Sequence, residues 1–126
     1  MNAAAIYAVN GVLLVSITSD ITDTDIIELQ ETLSRRIADS ECRGVVVDIS
    51  SLEIVDTFVG RVLAQLTSVA RLLDAETYVV GMRPAVAMTL VELGMYLPDN
   101  HTALTLSHAL EKMRRAGLVD ELRDGA

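Results

Sequence analysis

The sequence predicts an α/β protein whose mixed sheet opens with an antiparallel hairpin and continues through crossover helices. Three observations predict it. Asn10-Gly11 separates two β-rich runs, short apolar runs bounded by turn residues recur later, and stretches with helical spacing of apolar residues lie between them. The order read from the chain is β-β-α-β-α-β-α-β-α. Alternation after the hairpin implies parallel pairing, because a strand reaches a parallel neighbour only through a crossover.

Ile6 to Val9 and Val12 to Ile17 form the hairpin, and Asn10 and Gly11 both tolerate the positive φ of a type I′ turn. Thr22-Asp23-Thr24-Asp25 then supplies acceptors for the free N–H groups of a helix start. Ile26, Leu29, Leu33 and Ile37 mark the apolar face of this helix, which ends near Asp39 to Arg43. Gly44-Val45-Val46-Val47-Asp48 is a continuous apolar run closed by an acid, the pattern of a central strand covered on both faces. Ser50 to Asp56 reads as a loop. A second helix starts near Thr57, burying Val59, Val62, Leu63, Leu66, Ala70 and Leu73 and wetting Arg61, Gln65, Ser68 and Arg71.

Thr77 to Val80 is the next buried strand. Gly81-Met82-Arg83-Pro84 leads into a third helix, with Pro84 where a missing N–H does no harm and Gly94 as the residue that ends it after about Leu93. Thr102 to Leu104 is a short last strand. Ser107 to Arg115 is a final helix, with Ala109, Leu110 and Met113 inward. The 126 residues suit one domain, 1–126.

Composition narrows the function. Hydrophobic residues make up 51% of the chain but aromatic ones only 3%, so the core is aliphatic. The net charge is −8 and Lys112 is the only lysine, which leaves no basic stripe for nucleic acid or for an anionic membrane surface. Charged partners of such a surface are basic. No apolar run approaches the roughly 20 residues that span a bilayer. Met1-Asn2-Ala3-Ala4-Ala5 has no basic n-region, so no signal peptide is expected. The single cysteine, Cys42, cannot form an internal disulfide and reads as part of a helix-to-strand turn. The expected location is the cytoplasm.

The stretch from Asp48 to Gly60 is the first candidate site. It sets Ser50, Ser51, Asp56 and Thr57 between a strand end and a helix start. Ligands of open α/β sheets gather just outside the carboxyl ends of the strands. A phosphate on a hydroxyl at a helix N-terminus meets free backbone N–H groups and the positive end of the helix dipole. On residue chemistry alone Thr57 reads first as an N-cap and second as a modifiable hydroxyl. The acids Asp20, Asp23, Asp48 and Asp56 are similar in pattern to a phosphoaspartate receiver site. That chemistry also needs a lysine near a later strand end, and none precedes Lys112. The acids therefore read as caps, turns and solvated surface. His101 and His108, seven residues apart and without a cysteine pair, are not spaced as zinc ligands and read as surface or cap residues. Met82, Met88, Met95 and Met113 read as core. The chain has no Gly-x-Ser-x-Gly, P-loop or Gly-x-Gly-x-x-Gly, so neither an enzyme nor a metal or cofactor site is expected.

Asp48-Ile49-Ser50-Ser51-Leu52-Glu53-Ile54-Val55-Asp56-Thr57-Phe58 resembles the phosphorylation loop of STAS domains, the fold of anti-sigma factor antagonists. Gly81-Met82-Arg83-Pro84 with the helix through Gly94, and Thr102-Ala103-Leu104-Thr105-Leu106, are similar to the stressosome scaffold subgroup. The resemblance implies a STAS fold and a non-catalytic, cytoplasmic scaffold. Such a scaffold forms homodimers and large hetero-oligomers with sensor STAS paralogues of the RsbR type. It sequesters a serine/threonine switch kinase of the RsbT type. The kinase phosphorylates the scaffold on stress and leaves, and a phosphatase later resets it. By this resemblance the phospho-acceptor is Thr57, with Thr89 as a secondary candidate, while Asp48, Ser50, Asp56 and Phe58 shape the loop and meet partners. The chain departs from the ordinary antagonist loop, Asp-Ser-Ser/Thr-Gly, in having Asp56-Thr57-Phe58-Val59. A conventional anti-sigma factor antagonist is the alternative reading. Scaffold members usually carry serine at the position of Thr57.

Overall fold

Asn10 and Gly11 hold φ values of 49° and 85°, the left-handed pair that a type I′ turn requires. They fold β1 (Ala4–Val9) back onto β2 (Val12–Ile17), with Val9 opposite Val12. The computed structural model describes residues 4–40, 42–53, 57–92, 94 and 101–118. Helix α1 (Asp23–Ser40) starts with a reciprocal cap. The Thr22 N–H donates to Asp25 Oδ2 at 3.0 Å and the Asp25 N–H donates to Thr22 Oγ1 at 3.2 Å, so the residue types clustered there satisfy the first turn themselves. The remaining elements are β3 (Gly44–Asp48), α2 (Thr57–Leu72), β4 (Glu76–Val80), α3 (Pro84–Glu92), β5 (Thr102–Ala103) and α4 (Leu106–Arg115), in the order the sequence predicts.

The five strands lie in the order β1-β2-β3-β4-β5, antiparallel in the first pair and parallel thereafter. Each parallel step moves the same way across the sheet. Crossovers of one hand must then place α1, α2 and α3 on one face. The larger core is consistent with this: Leu29, Leu33, Leu63, Leu66, Val86 and Leu90 from those helices pack with Val15, Val45, Val47 and Val79. Helix α4 follows the last of the described strands and covers the other face, where Ala109 and Met113 meet Val12, Val46, Tyr78 and Val80. The alternation Val45-Val46-Val47 across the two cores is the period of a strand buried on both sides. Gly44 admits α4 closely, since a Cβ there would lie 2.8 Å from Met113 Cε.

One buried group is out of step with this packing. Thr77 on β4 is 4% exposed, and its Oγ1 has no hydrogen-bond partner among the described residues. A buried hydroxyl without a partner costs about 1–3 kcal/mol of desolvation. Thr77→Val keeps the shape and the strand preference and removes the hydroxyl. It is expected to stabilise the fold by about 1 kcal/mol in urea unfolding. A fall in the midpoint would show that the hydroxyl is satisfied.

Several side chains depart from the sequence-based expectation. Leu73 lies beyond the end of α2 and is 38% exposed, because Asp74 turns left-handed at φ 64° and ends the buried stripe at Ala70. Leu104 follows β5 rather than belonging to it, and is exposed. Met88 faces outward from α3, whose inward residues are Val86 and Leu90, while Met95 lies outside the described residues. His101 is not a free surface residue. Its ring lies against the buried Tyr78 at a tilt of 38° with centroids 4.5 Å apart, and its Nε2 lies 3.4 Å from Glu76 Oε2. Burial pushes the Tyr78 phenol up, and the Glu76 charge adds to it. Cys42 is buried in the turn before β3 and donates its thiol to the Gly44 carbonyl at 2.7 Å.

Candidate functional site

The connection from β3 to α2 leaves the sheet at the carboxyl ends of the parallel strands. Pairing runs one residue past β3, since the Ile49 N–H donates to the Val80 carbonyl at 3.1 Å. Ile49 and Leu52 are fully buried and act as pegs, and the Leu52 N–H donates to the Ile49 carbonyl at 3.0 Å to close a turn between them. Asp48 shapes the start of this turn: its Oδ1 accepts the Ser50 N–H at 2.9 Å, a side-chain mimic of a backbone turn. Ser50 and Ser51 are left exposed between the pegs.

A second connection clamps the loop from the side. Gly81, at φ 76°, lies so close that a Cβ on it would sit 2.6 Å from Ser50 Cβ and 2.9 Å from Ser50 Cα. Glycine therefore serves two needs here, a left-handed backbone and a close approach. Two residues on, Arg83 Nη2 donates to the Ser50 carbonyl at 3.2 Å. Neither contact was anticipated from the sequence. Gly81 before Arg83-Pro84 was visible as a turn signal, but nothing local names Ser50 as its neighbour.

Thr57 is the first residue of α2 and is exposed. Phe58 is half-buried against the larger core, and Val59 and Gly60 are buried, so the helix is anchored immediately behind the hydroxyl. Of the residues expected in this site, Asp48 and Ser50 are joined by a hydrogen bond, and Thr57 and Phe58 open the helix that follows. Asp56 lies outside the described residues. Thr89 belongs to a different element. It is half-buried in α3, and its Oγ1 donates to the Ala85 carbonyl at 3.0 Å, the back-bond of a mid-helix threonine.

A groove of about 310 Å³ runs between α1 and α2 beside Phe58, lined also by Ile27, Gln30, Arg61 and Gln65. Gln30 Nε2 donates to Gln65 Oε1 at 2.7 Å across it. Ile27 is 60% exposed at this groove. Its signal was present in the sequence, because an isoleucine next to Ile26 falls off the buried stripe of α1.

These features define the class. The STAS domain family model matches residues 3–109, and the chain belongs to the STAS domain family. Among curated proteins it is 36% identical over 94 residues to the uncharacterised protein YezB of Bacillus subtilis, covering 75% of this chain and 96% of YezB. It is 30% identical over 83 residues to the RsbT co-antagonist protein RsbRA of Bacillus subtilis, covering 66% of this chain but only 30% of RsbRA. Among solved structures it matches a serine-to-glutamate variant of RsbS from Moorella thermoacetica with a TM-score of 0.80 and 37% identity, covering 90% of this chain and 97% of that one. A chain in the molecular architecture of the stressosome, described as a signal integration and transduction hub, gives a TM-score of 0.81 and 37% identity, with 90% and 98% covered. The unphosphorylated anti-sigma factor antagonist SpoIIAA shares the fold at a TM-score of 0.69 and 12% identity. Among the described residues, no helix is long and apolar enough to cross a membrane.

Proposed function

We propose that this protein is a non-catalytic scaffold of a stressosome-type complex. It binds sensor STAS paralogues of the RsbR type and holds a serine/threonine switch kinase of the RsbT type until that kinase phosphorylates it. The similarity to RsbS along nearly the whole of that chain supports the scaffold role. The observation that carries the kinase reading is the exposed Thr57 hydroxyl at the start of α2, behind a loop pinned at Ile49 and Leu52. Phosphate there gains the N-terminal N–H groups of α2 and confronts a docked partner with nearly two new negative charges. Thr89 is the secondary acceptor, and its hydroxyl must leave the Ala85 carbonyl to be modified. Asp48 and Ser50 hold the loop in shape, Asp56 and Phe58 flank the acceptor, and a phosphatase resets it. The complex works in the cytoplasm, with the homodimer as its building unit.

The test is assembly. Purified protein mixed with a purified RsbR-type paralogue is expected to elute as one large particle in size-exclusion chromatography with light scattering, and to retain a purified RsbT-type kinase. A chain that stays monomeric or dimeric in every mixture, and binds the kinase one to one, points instead to a conventional anti-sigma factor antagonist.

A further inference from the structure

The surface of this acidic protein carries a cleft whose charged lining is basic among the described residues. It lies between the start of α3, β5 and α4, encloses about 390 Å³, and is lined by Arg83, His108 and Lys112 around the apolar surface of Met82, Pro84 and Leu104. The size falls in the range of small-ligand sites. Only ten of the residues are lysine or arginine, against 18 aspartates and glutamates, so two such cations at one cleft with no carboxylate among its described lining residues is an arrangement against the bulk charge.

The local chemistry favours an anion. Neither Arg83 nor Lys112 has a carboxylate within ion-pair distance among the described residues; Arg83 donates to the Ser50 carbonyl and Lys112 to the Thr102 carbonyl. The acid of α4, Glu111, is engaged elsewhere: the Arg114 hydrogen bonds, with Arg115 adding its charge, hold its carboxyl below the usual range. Helix α4 starts at this cleft with no acidic residue in its first turn, and Thr105 caps it by accepting the His108 N–H at 3.2 Å. The positive end of the helix therefore adds to the two fixed charges.

We propose that this cleft binds a small organic phosphomonoester, its dianionic head on Arg83, Lys112 and His108 and its apolar body on Met82, Pro84 and Leu104. Two fixed cations match the charge of nearly −2 that a phosphomonoester carries at neutral pH, and guanidinium suits phosphate oxygens. Occupancy also draws Arg83 from the Ser50 carbonyl, which links the cleft to the loop before Thr57.

Isothermal titration of the isolated chain with phenyl phosphate tests it, with inorganic phosphate and phenylacetate as comparison ligands. Phenyl phosphate is expected to bind saturably and more tightly than either, since inorganic phosphate lacks the body and phenylacetate has one charge. Arg83→Ala and Lys112→Ala are each expected to lower affinity about tenfold or more, the loss of a charge-assisted contact. Arg35→Ala on α1 makes the same change of charge at an exposed site and is expected to leave affinity intact. Amide shifts in the wild-type chain keep the test decisive if a variant misfolds: they are expected at residues 102–108 and at Ser50, and not along α1. No saturable binding at millimolar phenyl phosphate, tighter binding of phenylacetate, equal affinity in all three variants, or shifts confined to other elements overturns the proposal.

Discussion

Thr57→Ala is expected to remove the main site of phosphate transfer from the switch kinase, leaving only the weaker label at Thr89, and Thr57→Glu to weaken capture of that kinase about tenfold or more. The first effect follows from position. Thr57 is exposed at the first turn of α2, and its removal touches neither the buried pegs Ile49 and Leu52 nor the stripe that begins at Val59. Thr57 is the first residue of α2 and not the cap the sequence suggests, and a surface substitution of this kind usually changes stability by about 0.5 kcal/mol or less, so lost labelling reports lost acceptor and not lost fold. The second effect follows from charge. A partner surface fitted to the neutral hydroxyl must instead desolvate an unpaired carboxylate, which costs several kcal/mol. Phosphopeptide mapping after incubation with the kinase and ATP reads the first result, and titration calorimetry reads the second. Thr57→Ser is expected to restore labelling. Label persisting at full level in Thr57→Ala, or unchanged capture by Thr57→Glu, removes Thr57 from the mechanism.

Gly81→Ala is expected to destabilise the protein by about 3 kcal/mol. Two costs combine. A non-glycine residue at φ 76° is strained by about 1–3 kcal/mol. The new Cβ would also lie 2.9 Å from Ser50 Cα and 3.0 Å from Ser50 N, which are backbone atoms and cannot rotate away, and overpacking of this kind costs about 1–3 kcal/mol. Gly94 offers the control. It too has φ 76°, but a Cβ there meets nothing within 4 Å among the described residues, so Gly94→Ala carries the backbone strain alone. The difference between the two variants in urea unfolding measures the clash. Folded Gly81→Ala protein is further expected to be phosphorylated more slowly at Thr57, because Ser50 and the turn held by Asp48 must shift. Equal destabilisation in the two glycine variants would show that the two connections do not press on each other.

Much of this could be read before any coordinates. The hairpin, the cap of α1, the β3 run and the exposed start of α2 are local features. Asn10-Gly11 needs only its own φ preferences, and Thr22 and Asp25 find each other three residues apart. Chain composition alone also dictated an aliphatic core and a surface averse to polyanions. The misses share a cause. Leu73 has the spacing of a buried residue, yet the helix has ended before it, and His101 looks like a surface imidazole until β5 sets it against Tyr78. The strand order, the gathering of three helices on one face and the placement of α4 on the other are consequences of crossover hand and sheet position, which no window of residues encodes. The contact of Gly81 with Ser50, the bond from Arg83 to the Ser50 carbonyl and the meeting of Arg83 with Lys112 at one cleft join residues about thirty apart in the chain. Local preference shaped the elements here, while burial and hydrogen bonding between distant segments decided which of their side chains became a site.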